Sequence, residues 1–124
     1  MKMLATRVVL AVRNLQVSEA FYRDVLGCQV VGPDRSTGWS FLARDNFTVM
    51  LGECPEVTPA SDIGDHSYIA YVVVDDVDEL HAEIMRRGAE AISTPRTEPW
   101  GMRECAIRTP DGHRIRFGQD AKRR

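Results

Sequence analysis

Apolar and polar positions change their period several times along the chain, and each change marks an element. RVVLAV (residues 7–12) is a β-branched apolar run that predicts a strand. Beyond Asn14, the residues Val17, Ala20, Phe21, Val25 and Leu26 recur at helical spacing. Asn14 or Ser18 is placed to cap that helix and Gly27 to stop it. CQVVG, WSFLAR and FTVMLG then read as three strands, separated by the turn signals GPD, STG and RDN. The predicted order is β-α-β-β-β.

The same order returns after the acidic, proline-bearing stretch ECPEVTPASDIGD. SYIAYVVV predicts a strand, and VDELHAEIMRRG a helix with Val77, Leu80, Ile84 and Met85 on one side and Gly88 as its stop. AEAIST, RECAIRT and HRIRFG follow as strands, the last two joined by PDG. The halves align: Val12-Arg13-Asn14-Leu15 with Val74-Asp75-Asp76-Val77, Gly27 with Gly88, and Leu51-Gly52-Glu53 with Phe117-Gly118-Gln119. A repeat of about sixty residues is too long for a solenoid unit and indicates a duplicated supersecondary module. The expected organisation is a single α+β domain over residues 1–124. Module one covers about residues 4–53, a linker 54–65, and module two about 66–119.

Length and charge narrow the function classes. The chain has 124 residues and a formal net charge of -2, enough for one core and without the basic excess of a nucleic-acid binder. The terminal AKRR reads as a solvated tail. No apolar run approaches the roughly 18 residues of a membrane span. Arg7 interrupts the apolar run near the start, so MKMLATRVVLAV reads as a strand and not as a signal peptide. Cys28, Cys54 and Cys105 are odd in number and lack CxxC spacing. Reduced thiols and a cytoplasmic setting are the expectation.

SEAFYRDVLG, VDDVDELHAEIMRRGAE and TPDGHRIRFG together resemble the vicinal oxygen chelate superfamily, the glyoxalase/bleomycin resistance protein/dioxygenase group. The resemblance covers residues 4 to 119, nearly the whole chain. It implies that the two β-α-β-β-β modules form a cupped, mostly antiparallel eight-stranded sheet with a ligand on the concave face. It also implies a homodimer. Activity is not implied, because the fold hosts lyases, thiol transferases, dioxygenases and drug-binding proteins.

Enzymes of that superfamily hold a divalent metal on four strand positions, which the resemblance carries onto Arg7, Met50, Ile69 and Arg116. The repeat supports the assignment, since Arg7 and Ile69 share one offset and Met50 and Arg116 another. A guanidinium donates no lone pair, Ile has no donor atom, and a thioether suits only soft metals. No metal or cofactor is therefore expected. Among other candidate ligands, His81 reads as solvated helix surface, and His113 points away from Arg116. His66 lies three residues from Ile69, so that only a bulge or register error would bring it inward. Glu53 and Glu104 complete the set.

Strand alternation assigns a concave face with Arg7, Val9, Ala11, Thr48, Met50, Ile69, Tyr71, Val73, Arg114 and Arg116. In RECAIRT the same parity sends Glu104, Ala106 and Arg108 to that face. Glu104 is then expected to neutralise one or two arginines, or the arginines await an anionic, carboxylate-bearing ligand. In EPWGMRE, Gly101 permits a tight turn, Trp100 and Met102 form a lip, and Arg103 is expected to point outward as a rim or interface partner. Trp39 and Phe41 occupy the corresponding edge of module one and suggest aromatic walls. No nucleophile elbow or phosphate loop is present, and Cys105 has core parity with Ile107. The reading is a metal-free binding protein, possible antibiotic or metabolite sequestration included, with an acidic or neutral ligand. The rivals are a metal-dependent lyase, thiol transferase or extradiol-type dioxygenase, and a purely structural dimer.

Overall fold

The computed structural model describes residues 1–64 and 66–121. Asp65 in the linker and residues 122–124 of the basic tail lie outside the described residues. The elements run β1 (Val8–Val12), α1 (Leu15–Ala20) with a π-wound turn over Phe21–Val25, β2 (Gln29–Gly32), β3 (Trp39–Arg44), β4 (Phe47–Glu53), β5 (Tyr68–Val73), α2 (Val77–Arg86), β6 (Glu90–Thr97), β7 (Met102–Arg108) and β8 (Arg114–Asp120). The chain divides into two compact units, Met1–Val57 and the part from Thr58 on. The strands form two four-stranded sheets, ordered β1-β4-β3-β2 and β5-β8-β7-β6. In each sheet the first strand runs parallel to the last, and the remaining pairs are antiparallel. The class is α+β.

In unit one, alternation along β1, β3 and β4 buries Leu10, Val12, Leu42, Val49 and Leu51. Leu15, Tyr22 and Leu26 of the helical segment are buried with them, each large apolar side chain contributing about 1.5–3 kcal/mol. Asn14 caps α1, its Oδ1 accepting from the Val17 amide at 3.1 Å. Ser18, the alternative cap, is buried inside the helix instead. The Leu15 amide, another N-terminal orphan, donates to Glu53 Oε2 at 2.9 Å. Glu19 is a buried carboxylate and has partners: Ser40 Oγ donates at 2.6 Å, and Arg35 and Arg23 stand at 3.4 and 3.7 Å. Left-handed Gly27 (φ 75°) ends the helical segment.

Unit two repeats the plan. Asp76 Oδ1 caps α2 through the Glu79 amide at 3.0 Å, and Gln119 Oε1 accepts from Val77 N at 2.9 Å, as Glu53 does in unit one. Val77 and Ile84 sit in a core with Cys105, Ile107, Ile115 and Phe117. Strand β6 runs to Thr97, past the AEAIST segment read from the pattern. Its Pro95 is tolerated because β6 is an edge strand whose pairing is irregular between Ser93 and Arg96. Arg103 corrects an expectation. It does not point outward to a rim; its Nε and Nη2 grip Asp78 in the first turn of α2 at 2.8 and 2.9 Å. The fork ties β7 to the helix, where a carboxylate already favours the positive helix end.

Candidate functional site

The register of the second sheet aligns side chains in rows across one face. One row reads Val73–Gly118–Glu104–Arg96, the next Tyr71–Arg116–Ala106–Ser93, and the third Tyr68–Arg114–Arg108–Glu90. Strict alternation would put Tyr68 and Tyr71 on opposite faces, since they are three residues apart. A register shift between Tyr68 and Ala70 leaves Ile69 as the extra residue, and both tyrosines face the arginines of β8. Tyr68 is therefore a member of this face that alternation missed, and the bulge falls on Ile69.

Glu104 is the hub. Its side chain is only 5% exposed, a position a carboxylate occupies only with partners. Oε2 accepts from the Tyr71 hydroxyl at 2.6 Å and from Trp100 Nε1 at 3.3 Å. Oε1 accepts from Arg116 Nη1 at 3.4 Å. Arg116 Nη2 in turn donates to the Tyr68 hydroxyl at 2.6 Å. The Arg116 guanidinium lies 4.9 Å and that of Arg114 5.7 Å from the Tyr68 ring centroid, within cation–π range. Burial, then the hydrogen bond to Glu104 and its charge, pushes the Tyr71 hydroxyl up to about 12. Tyr71 is consequently a neutral donor at any physiological pH.

Gly118 makes this arrangement possible. A Cβ built at Gly118 runs into the Tyr71 hydroxyl and its ring carbon Cζ, so the absent side chain is the seat of the ring. Unit one has a parallel device on its own face. There the rows read Val9–Met50–Phe41 and Ala11–Gly52–Trp39. A Cβ on Gly52 would stand 2.9 Å from Trp39 Cη2. Trp39 packs edge-to-face on Phe41, with centroids 6.2 Å apart.

The predicted positions are thus spread over two faces, one in each unit. Trp39, Phe41 and Met50 share the first, while Arg7 precedes β1 and is exposed. Tyr71, Glu104, Arg114 and Arg116 share the second, with Trp100 bonded to it and Met102 at the end of β7. Glu98 of the same turn accepts the Arg96 fork at 3.0 and 3.2 Å. Arg108 stands 3.4 Å from Glu90.

The other candidates lie elsewhere. His66 is exposed in a turn, Glu53 is bound to α1, and His81 is half-buried with Nε2 lacking a hydrogen-bond partner among the described residues. That last placement differs from the solvated surface expected of His81. Burial lowers the His113 pKa, partly opposed by Asp111. Burial also pushes the Cys28 and Cys105 thiols to about 11, which keeps them protonated and inert.

The residues do not fit the metal that the fold family implies. Arg116 is tied to Glu104 and Tyr68, Ile69 has no donor atom, and Met50 sits in an apolar row. Among the described residues, no three His, Cys, Asp or Glu side chains gather to hold an ion.

Comparison with known proteins points one way. Residues 5–117 match the family model of the Glyoxalase/Bleomycin resistance protein/Dioxygenase superfamily. An uncharacterized protein of Mycobacterium bovis is 30% identical over 111 residues, spanning 84% of this chain and 72% of that protein. The bleomycin resistance determinant encoded on transposon Tn5 superposes with a TM-score of 0.77 at 23% identity, covering 95% of this chain and 98% of the other. A bleomycin-binding protein complexed with bleomycin gives 0.75 at 23% identity, with 94% and 98% covered.

Proposed function

Because the chain belongs to the glyoxalase/bleomycin resistance protein/dioxygenase superfamily, we propose that it binds a small organic molecule without metal and sequesters an antibiotic or metabolite. The observation that carries this reading is Arg116. The superfamily's enzymes place a metal ligand at its position; here a guanidinium is held between a buried carboxylate and a tyrosine. A dication there would face two arginines on one strand, Arg114 and Arg116, and lose the Glu104 oxygens to three donors. A bleomycin-binding protein of the same fold is complexed with bleomycin, which supports the reading.

The proposal includes a cytoplasmic homodimer. No helix among the described residues is long and apolar enough to cross a membrane. Exposed Val9, Tyr71, Val73 and Trp100 lie on or beside the strand faces described above, apolar surface of the kind that ligands or partners cover.

The test is elemental analysis of the purified protein combined with native mass spectrometry. The expected result is a metal-free dimer with an organic adduct or an empty mass that accepts small molecules. Stoichiometric zinc, nickel, manganese or iron that survives purification would overturn the reading in favour of a metal-dependent lyase or dioxygenase.

A further inference from the structure

We infer that the Tyr68–Arg116 corner of unit two takes a flat aromatic ligand carrying an oxyanion, held by hydrogen bonds that the protein donates. This rests on the ligand-binding reading above and narrows it to a chemical class.

The donors and acceptors of the corner decide the class. Glu104, its carboxylate, is buried and already receives Tyr71, Trp100 and Arg116, so it offers a ligand nothing. The Tyr68 hydroxyl oxygen accepts from Arg116 at 2.6 Å, which leaves its hydrogen free to donate. Arg116 has five N–H groups. One reaches Glu104 and one Tyr68. The others have no partner among the described residues, and the side chain is 30% exposed. The outward polar groups of this corner are therefore donors, and one of them is a planar cationic fork suited to a carboxylate.

The surrounding surface is aromatic. Trp100 is 66% exposed, Tyr71 45% and Tyr68 37%. Trp100 and Tyr71 have their polar tips turned in to Glu104. What they show outward is ring, anchored at one end, and such rings stack on planar partners with little further ordering. A cationic ligand would find the same rings but would meet Arg116 with its carboxylate, Glu104, already spent.

Three probes of one shape separate the possibilities: naphthoate, naphthalenemethanol and naphthylmethylammonium, titrated into the whole protein by calorimetry and tryptophan fluorescence. Naphthoate is expected to bind at least about tenfold more tightly than the alcohol, as a charge-assisted hydrogen bond would give, with the ammonium weakest. Tyr68→Phe and Arg116→Lys, each checked for native circular dichroism, should weaken naphthoate about fivefold or more and affect the alcohol less. If the ammonium binds as tightly as naphthoate, the class is wrong while the binding reading stands. If Tyr68→Phe folds and holds naphthoate unchanged, the corner is not the site and the inference falls. If none of the probes binds at millimolar concentration, the inference falls, while the binding reading is decided separately by the metal content and the organic adduct in the native mass spectrum.

Discussion

Replacing Glu104 by alanine removes one carboxylate and strands three donors, so its cost can be worked out contact by contact. The Tyr71 hydroxyl bond is short, at 2.6 Å, and goes to a charged acceptor; such a bond contributes about 1.5–3 kcal/mol. The Trp100 and Arg116 contacts are long, at 3.3 and 3.4 Å. Arg116 is also open enough to water that its lost ion pair is screened, and the two together add about 0.5–1 kcal/mol. The expected destabilisation is about 2–4 kcal/mol, or a fall in Tm of roughly 8–15 °C for a chain of this size.

Urea unfolding followed by tryptophan fluorescence, with thermal melts by circular dichroism, measures it. Tyr71→Phe removes only the short bond and should cost about 1.5–3 kcal/mol. In a double-mutant cycle the pair should show a coupling of about 1–2 kcal/mol. Glu104→Gln keeps the shape and one acceptor and should fall between alanine and wild type. A coupling within error of zero, or a Glu104→Ala protein within about 0.5 kcal/mol of wild type, would refute the hub.

Three further outcomes follow from the same geometry. Gly118→Ala should drive Tyr71 off Glu104 because its new methyl occupies the ring's seat, and a phenol titration at alkaline pH should show Tyr71 ionising at lower pH than in the wild type, where burial and Glu104 push it up to about 12. Gln119→Ala should cost about 1 kcal/mol or more by orphaning the Val77 amide at the start of α2, with Glu53→Ala acting likewise on α1, both read by urea midpoint. His113 has a folded pKa below its ordinary 6.5 because burial disfavours the imidazolium. The unfolded chain thus binds the proton more readily, and this stability is full above pH 6.5 and lost as pH falls through the folded value. His113→Gln should flatten that part of the stability–pH curve.

Most of the scaffold was legible because it depends on period and repetition. Alternation in β1, β4 and β8 predicted the buried rows, and the duplication located both last strands, whose Gly52 and Gly118 then proved to be ring seats. Glu104 holds Arg116, as the first account offered for it requires, and the N–H groups of Arg116 beyond Glu104 and Tyr68 are those that the second account, an anionic ligand, would take. What escaped were features without a local signature. The bulge at Ile69 adds one residue, and nothing in SYIAYVVV marks it except two tyrosines at an odd spacing. Parity does place Arg103 opposite Glu104, but its partner Asp78 lies 25 residues away on a helix, and no periodicity reports that distance. His81 lies on a helix among charged residues, so its polar neighbours concealed a half-buried ring.

The two units show how one backbone plan supports different surface chemistry. By register, Trp39 and Glu104 are equivalent, since each lies opposite the glycine of its unit's last strand. Met50 and Arg116 are equivalent two residues before that glycine, as are Phe41 and Ala106 beside them. Where the glycine faces an aromatic ring, the next row is Val9–Met50–Phe41 and carries no charge. Where it faces a carboxylate, the next row carries an arginine, and the aromatic bulk moves from the third strand of the module to the first, as Tyr71. A guanidinium on a half-buried face needs an acceptor within reach, so Arg116 without Glu104, or Glu104 without Arg116 and Tyr71, would be costly. The hub therefore stands or falls as a set. An arginine introduced alone at Met50 would find Trp39 where the carboxylate should be, and it should destabilise unit one without conferring affinity for anions.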